Sequence, residues 1–92
     1  MDVDREFLFR EICDIIQNMC YIDFHDLHNF VVTPDKYDRE YRLAGKFGMG
    51  FKLMRNGKDY KFTQYKEDET KESIQWIKDN NQYLSELCNR VN

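Results

Sequence analysis

One proline, one alanine and four glycines are all that 92 residues contain of those types, and no apolar run is long. So little Pro and Gly excludes collagen-like and low-complexity chains. The longest uncharged stretch of the first third, Ile15 to Ile22, is interrupted by Gln17 and Asn18. A membrane-spanning helix needs about 20 mostly apolar residues, so none is expected. Only two serines occur, Ser73 and Ser85, both in an acidic C-terminal segment without the turn that exposes a nucleophile. Three cysteines are an odd number and a poor disulfide framework. Cys13 and Cys20 are seven positions apart in what reads as one helix. That separates their Cα atoms by about 10 Å, beyond the roughly 7 Å a disulfide spans. They read as small buried hydrophobes in a reducing compartment. The opening residues Met1 to Glu6 are acidic where a secretory leader is basic. The expected location is the cytoplasm, that of the host cell for a viral chain.

Seven Phe, six Tyr and one Trp within 41% hydrophobic content are what a globular chain carries, despite 34% charge. The length suits a single domain over 1–92. The net charge of −3 hides a partition. Residues 1–38 hold three Lys/Arg against nine Asp/Glu, 39–66 hold eight against two, and 67–92 hold three against six. A basic middle third lies between acidic ends.

Apolar residues from Asp4 to Cys20 keep a helical period: Leu8, Ile12, Ile15, Ile16 and Met19 share a face, widened by Phe9, Cys13 and Cys20. Asp2 or Asp4 serves as its N-cap, and Phe7 points into the polar arc. Asp23 caps a short second helix over Phe24 to Phe30, with Phe24, Leu27 and Val31 inward. Thr33-Pro34-Asp35 is a turn signal, and 35–40 reads as an irregular connection. Tyr41, Leu43 and Phe47 alternate as a strand would. Around Asn56-Gly57, the favoured type I′ pair, the flanking runs read as a 51–62 hairpin. That turn sets Leu53 opposite Tyr60 and Phe51 opposite Phe62, with positive φ at both loop residues. Glu67 to Thr70 opens a long last helix in which Ile74, Ile77, Leu84, Leu87, Cys88 and Val91 share a face across Asn80-Asn81. The order predicts an α+β two-layer sandwich: an N-terminal helix with a short second one, an antiparallel sheet of two to three strands, and a long C-terminal helix.

Candidate chemistry is sparse. His25 and His28 are helical neighbours near Cys20, Asp23 and Asp26, but zinc patterns pair ligands in two separated halves and the second half is missing. A solvated polar helix face is the simpler reading, and no metal or other cofactor is expected. Gly45-x-x-Gly48-x-Gly50 precedes a strand, not the helix a phosphate-binding loop requires. A Cys20–His25 dyad sits in an acidic neighbourhood that disfavours a thiolate. Catalysis is therefore not expected.

Two binding readings are left. The single alanine and the wealth of Lys, Asp, Asn, Tyr and Phe match the compositional style of small accessory proteins of bacteriophages and AT-rich genomes. With the bipolar charge, they suggest a non-enzymatic protein-interaction module, an inhibitor or adaptor, with another protein as partner and Phe7, Trp76 and Tyr83 as aromatic anchors. A homodimer is a further expectation, and the plain alternative is that these rings pack internally. The second reading is a single-stranded nucleic-acid or RNA binder using the basic 39–66 sheet through Lys52, Arg55, Lys58 and Lys61. Against it, exposed lysines on a sheet also guard against edge association.

Overall fold

Helical and strand periods alternate along this chain in a way that leaves each element one apolar side to bury. In the computed structural model, which describes residues 2–33, 39–46, 48 and 50–91, helix α1 spans Asp2–Ile16, strand β1 Cys20–Tyr21 and helix α2 Phe24–Val32. Strands β2 (Arg39–Gly45), β3 (Gly50–Asn56) and β4 (Asp59–Gln64) follow, then a 3-10 turn at Lys66–Asp68 and helix α3 (Lys71–Val91). The four strands form an antiparallel meander in the order β1-β2-β3-β4. The predicted α+β sandwich is present, with four strands where two or three were expected.

The extra strand comes from the end of the first helical period. The helix stops at Ile16, short of Cys20, because Gln17 and Asn18 have no apolar side to bury and the edge of β2 offers a ladder instead. Met19 N–H donates to the Ile16 carbonyl, Lys46 N–H donates to Met19, and Cys20 and Tyr21 pair with Gly45 and Ala44. Cys13 and Cys20 are therefore not on one helix, and all three cysteines are free thiols.

Asp23 caps α2 as expected, its carboxylate accepting from Asp26 N–H at 3.1 Å. Phe24, predicted inward, is 63% exposed, as part of a first turn of α2 in which His25 and Asp26 are exposed too. Thr70 and Ser73 cap α3 reciprocally: each hydroxyl accepts from the other's backbone N–H, at 2.7 and 3.1 Å. Helix α3 runs unbroken through the asparagines, and Ile74, placed on its apolar face by period, is exposed. Leu8, Ile12 and Ile16 of α1, Leu27, Phe30 and Val31 of α2, and Leu84, Leu87 and Cys88 of α3 meet Leu43, Phe51, Leu53, Tyr60 and Phe62 in one core cluster. Helices thus cover one face of the sheet. Of the connection predicted at 35–40, Arg39 and Glu40 belong to β2. Residues 34–38, with Pro34, lie outside the described residues, as does Phe47.

The hairpin is where the prediction said, with a shifted register. Asn56 pairs with Asp59, so the two-residue loop is Gly57-Lys58. Leu53 faces Phe62, Arg55 faces Tyr60 and Phe51 faces Gln64. Gly57 has φ +61°, and among the described residues no non-glycine has positive φ, so Asn56 does not adopt the predicted conformation. One glycine at the first loop position satisfies a type II′ turn, whereas the expected type I′ needs two residues with positive φ. Moving each partner by two positions keeps every side chain on its face.

Candidate functional site

Strand alternation divides the sheet residues into two sets. The inner set is Tyr41 and Leu43 on β2, Phe51, Leu53 and Arg55 on β3, and Tyr60 and Phe62 on β4. The outer set forms three cross-strand rows: Tyr21–Ala44–Gly50, Arg42–Lys52–Thr63 and Glu40–Met54–Lys61. The core helices pack on the other face, and of these rows Tyr21, Glu40, Arg42, Ala44 and Lys61 are exposed. Tyr21 is 65% exposed, and the Arg42 side chain is 77% exposed.

Arg42 stands directly opposite Lys52, and Lys61 is diagonal to Lys52. Like charges across a ladder destabilise it. Local contacts soften this for two of the three: Glu40 lies 3.8 Å from Arg42, and the Lys52 ammonium sits over the Tyr65 ring at 4.5 Å. The Tyr65 ring in turn lies on Gly50, where an added Cβ would come within 3.1 Å of it. Gly50 N–H also donates to Asp68, so the glycine allows both the ring and the 3-10 turn to approach. At the far end of the same row, the Lys46 ammonium sits 5.6 Å over Tyr21 and donates to the Gln17 carbonyl.

Of the four cations predicted for nucleic acid, the fold brings only Lys52 and Lys61 together on this open face. Lys58 is the second residue of the hairpin loop. Arg55 is the correction. It is 2% exposed, with Nη1 donating to the carbonyls of Phe30 and Thr33 and Nε to that of Gly57. Its neighbours complete the same device, since Tyr60 donates to Val31 at 2.7 Å, as does Arg5 at 3.2 Å. The last carbonyls of α2, which no helical N–H can reach, are met by two guanidinium groups and a phenol. Burial pushes the Tyr60 hydroxyl pKa up, which keeps it a donor.

The predicted anchors divide as well. Trp76 packs on Phe51 and Phe62, with ring centroids 5.1 and 5.4 Å away, as part of the core periphery. Phe7 and Tyr83 flank the seam between α1 and α3, 40% and 41% exposed. The Arg90 guanidinium lies 5.9 Å over the Phe7 ring, and Tyr83 donates to Glu11 at 3.0 Å.

The histidines do not converge. His28 Nε2 is 2.6 Å from Glu6, while exposed His25 lies 3.4 Å from the Asn29 amide. Among the described residues no three His, Cys, Asp or Glu side chains come together. Burial pushes the Cys13 and Cys20 thiols up to about 11, so neither is a thiolate at neutral pH. Among the described residues no helix is long and apolar enough to cross a membrane.

No family model, curated protein or solved structure matches this chain. Function has to be read from its own surfaces.

Residue type alone missed Tyr21, Arg42 and Ala44. The signal for the last two was present in the strand period, because Tyr41 and Leu43 inward force 40, 42 and 44 outward. Tyr21 had no such signal, since it lies just past the helical period that ends at Cys20 and in a strand of two residues.

Proposed function

We infer that this protein is a non-enzymatic binding module whose working surface is the open sheet face, and that its partner presents negative charge there. The observation that carries this reading is the contiguous set Arg42, Lys52 and Lys61 on three adjacent strands, facing away from the helices. Cations opposed across a ladder weaken it, and an anionic partner returns that cost on binding. The acidic residues of α1 and α2 lie in the other layer, so the charge is polarised between the layers and orients an approaching partner.

The test is retention on immobilised heparin of the wild type and the triple variant R42S/K52S/K61S. Despite its net charge of −3, the wild type is expected to be retained at low salt and the variant to flow through. Equal retention of both, with both folded, refutes the reading.

A second reading, an inhibitor or adaptor that binds another protein, is favoured by one observation: Phe7 and Tyr83 flank a single helix seam and keep about two fifths of their surface exposed. Under it, Phe7→Ala and Tyr83→Ala each cost about 2 kcal/mol of affinity for that partner in calorimetry, and the triple cation variant costs little.

A further inference from the structure

The outer row Tyr21–Ala44–Gly50 sets the one alanine of the chain and a glycine between two rings. Tyr21 stands on β1, Ala44 forms the floor, and the Tyr65 ring closes the far side by lying over Gly50. Three neighbouring strands place Tyr21 and Gly50 roughly 10 Å apart, two interstrand steps of about 4.8 Å. The exposed Ala44 between them leaves a shallow trough beside the Tyr21 ring. One row further along lie Arg42 and Lys52. Both rings already have an ammonium over them, Lys46 on Tyr21 and Lys52 on Tyr65. An aromatic face that attracts a cation also accepts a stacked base, and each lysine has a flexible stem on which to swing toward a phosphate.

We propose that this trough binds single-stranded nucleic acid, with bases stacked on Tyr21 and Tyr65 and the connecting phosphates held by Arg42 and Lys52. The proposal rests on the binding-module reading and names its partner. Two properties of the face favour a nucleic acid over an acidic protein. Rings beside cations serve a ligand that alternates flat bases with charges, whereas a carboxylate-bearing helix would use the cations and leave the rings idle. The open sheet also admits unpaired bases, which a duplex keeps stacked inside.

The experiment is fluorescence anisotropy on the full chain with three probes: an oligothymidylate about ten nucleotides long, a duplex of equal length, and polyglutamate. The oligothymidylate is expected to bind tightest, with affinity falling as salt rises by a slope near −0.7 per phosphate contacted. Tyr21→Leu should weaken it roughly five- to hundredfold, the loss of one stacked base, while leaving polyglutamate binding unchanged. Tyr65 packs on Gly50, so Tyr65→Leu risks the fold. Ala44→Ile is the safer partner variant, because it fills the exposed trough floor with a good strand former, and it should weaken the oligothymidylate to a similar degree. Thermal melting checks that both variants remain folded. Wild-type oligothymidylate affinity in both folded variants, or polyglutamate or duplex binding as tightly as the single strand, overturns the proposal while the cationic-surface reading stands. Loss of polyglutamate binding in R42S/K52S/K61S keeps the two claims separate. If no probe binds the wild type, both fall.

Discussion

The two faces of β3 and β4 are built from alternate residues of the same two strands, and each contains cations. On the inner face, Arg55 is buried and all three of its donated bonds go to main-chain carbonyls. On the outer face, the Lys52 ammonium lies over the Tyr65 ring, and Lys61 is exposed. The inner cation is a structural member that joins the sheet to the end of α2. The outer ones set like charges near each other and, among the described residues, donate to no main-chain carbonyl. Positive charge in a strand therefore says little about role until its acceptors are known. A planar guanidinium with several fixed donors suits the crowded carbonyls of a helix end, and a flexible ammonium suits a solvated face.

The sharpest way to break this contrast is to remove one cation from each face. Arg55→Leu leaves three carbonyls without their donor and should destabilise by roughly 3–5 kcal/mol in urea unfolding. Lys61→Ser should change stability by less than about 0.5 kcal/mol. A comparable loss from both would mean that the outer face is also structural.

Trp76 tests whether the inner face extends to the ring that the sequence suggested as an anchor. Its indole packs on both Phe51 and Phe62, so Trp76→Ala should cost about 3 kcal/mol of stability by thermal or urea unfolding. A variant of wild-type stability would return Trp76 to the list of partner contacts.

At the edge where the two faces meet, β4 has one side without a neighbouring strand. Phe62 N–H donates to Asn81 Oδ1 at 2.6 Å, and Asn81 Nδ2 donates to the Phe62 carbonyl at 2.8 Å. This side chain takes the part of one residue of a missing strand and blunts the edge against pairing with another chain. Asn81→Leu should cost about 1–2 kcal/mol, and exchange of the Phe62 amide should accelerate relative to its neighbours.

The smallest effects come from the loop that sets the register. Gly57→Val forces a branched side chain into φ +61° and should cost about 1 kcal/mol or more. Asn56→Ala, at a residue without positive φ, should cost less than about 0.5 kcal/mol by the same measurement. Equal penalties at the two positions would favour the type I′ turn and the register that goes with it.

Much of this architecture was legible in residue order because its causes are local. The period of Leu8, Ile12 and Ile16, the Asp23 cap and the in–out alternation of 51–62 depend on neighbours a few positions away, and they are present as read. Alternation determines which face a strand residue takes, but it cannot distinguish pairings that differ by two positions, since both bury the same side chains. The choice between Tyr60 and Phe62 opposite Leu53 was therefore left to the turn and to what the pairing brings together. The observed register sets Arg55 beside Tyr60 beneath the α2 carbonyls. Cys20 left its helical period, and Tyr21 beside it became strand, because ladder partners waited 25 and 23 residues away at Gly45 and Ala44. The roles of Asn81 and Arg55 were not legible because backbone groups they satisfy, at Phe62 and Phe30, are 19 and 25 positions distant. Helix faces, caps and strand parity are decided by sequence, since period and propensity act within a turn or two. Register, the edge strand, the buried guanidinium and the trough between Tyr21 and Tyr65 are decided by tertiary structure, because hydrogen-bond acceptors and ring partners become neighbours only once the layers have closed.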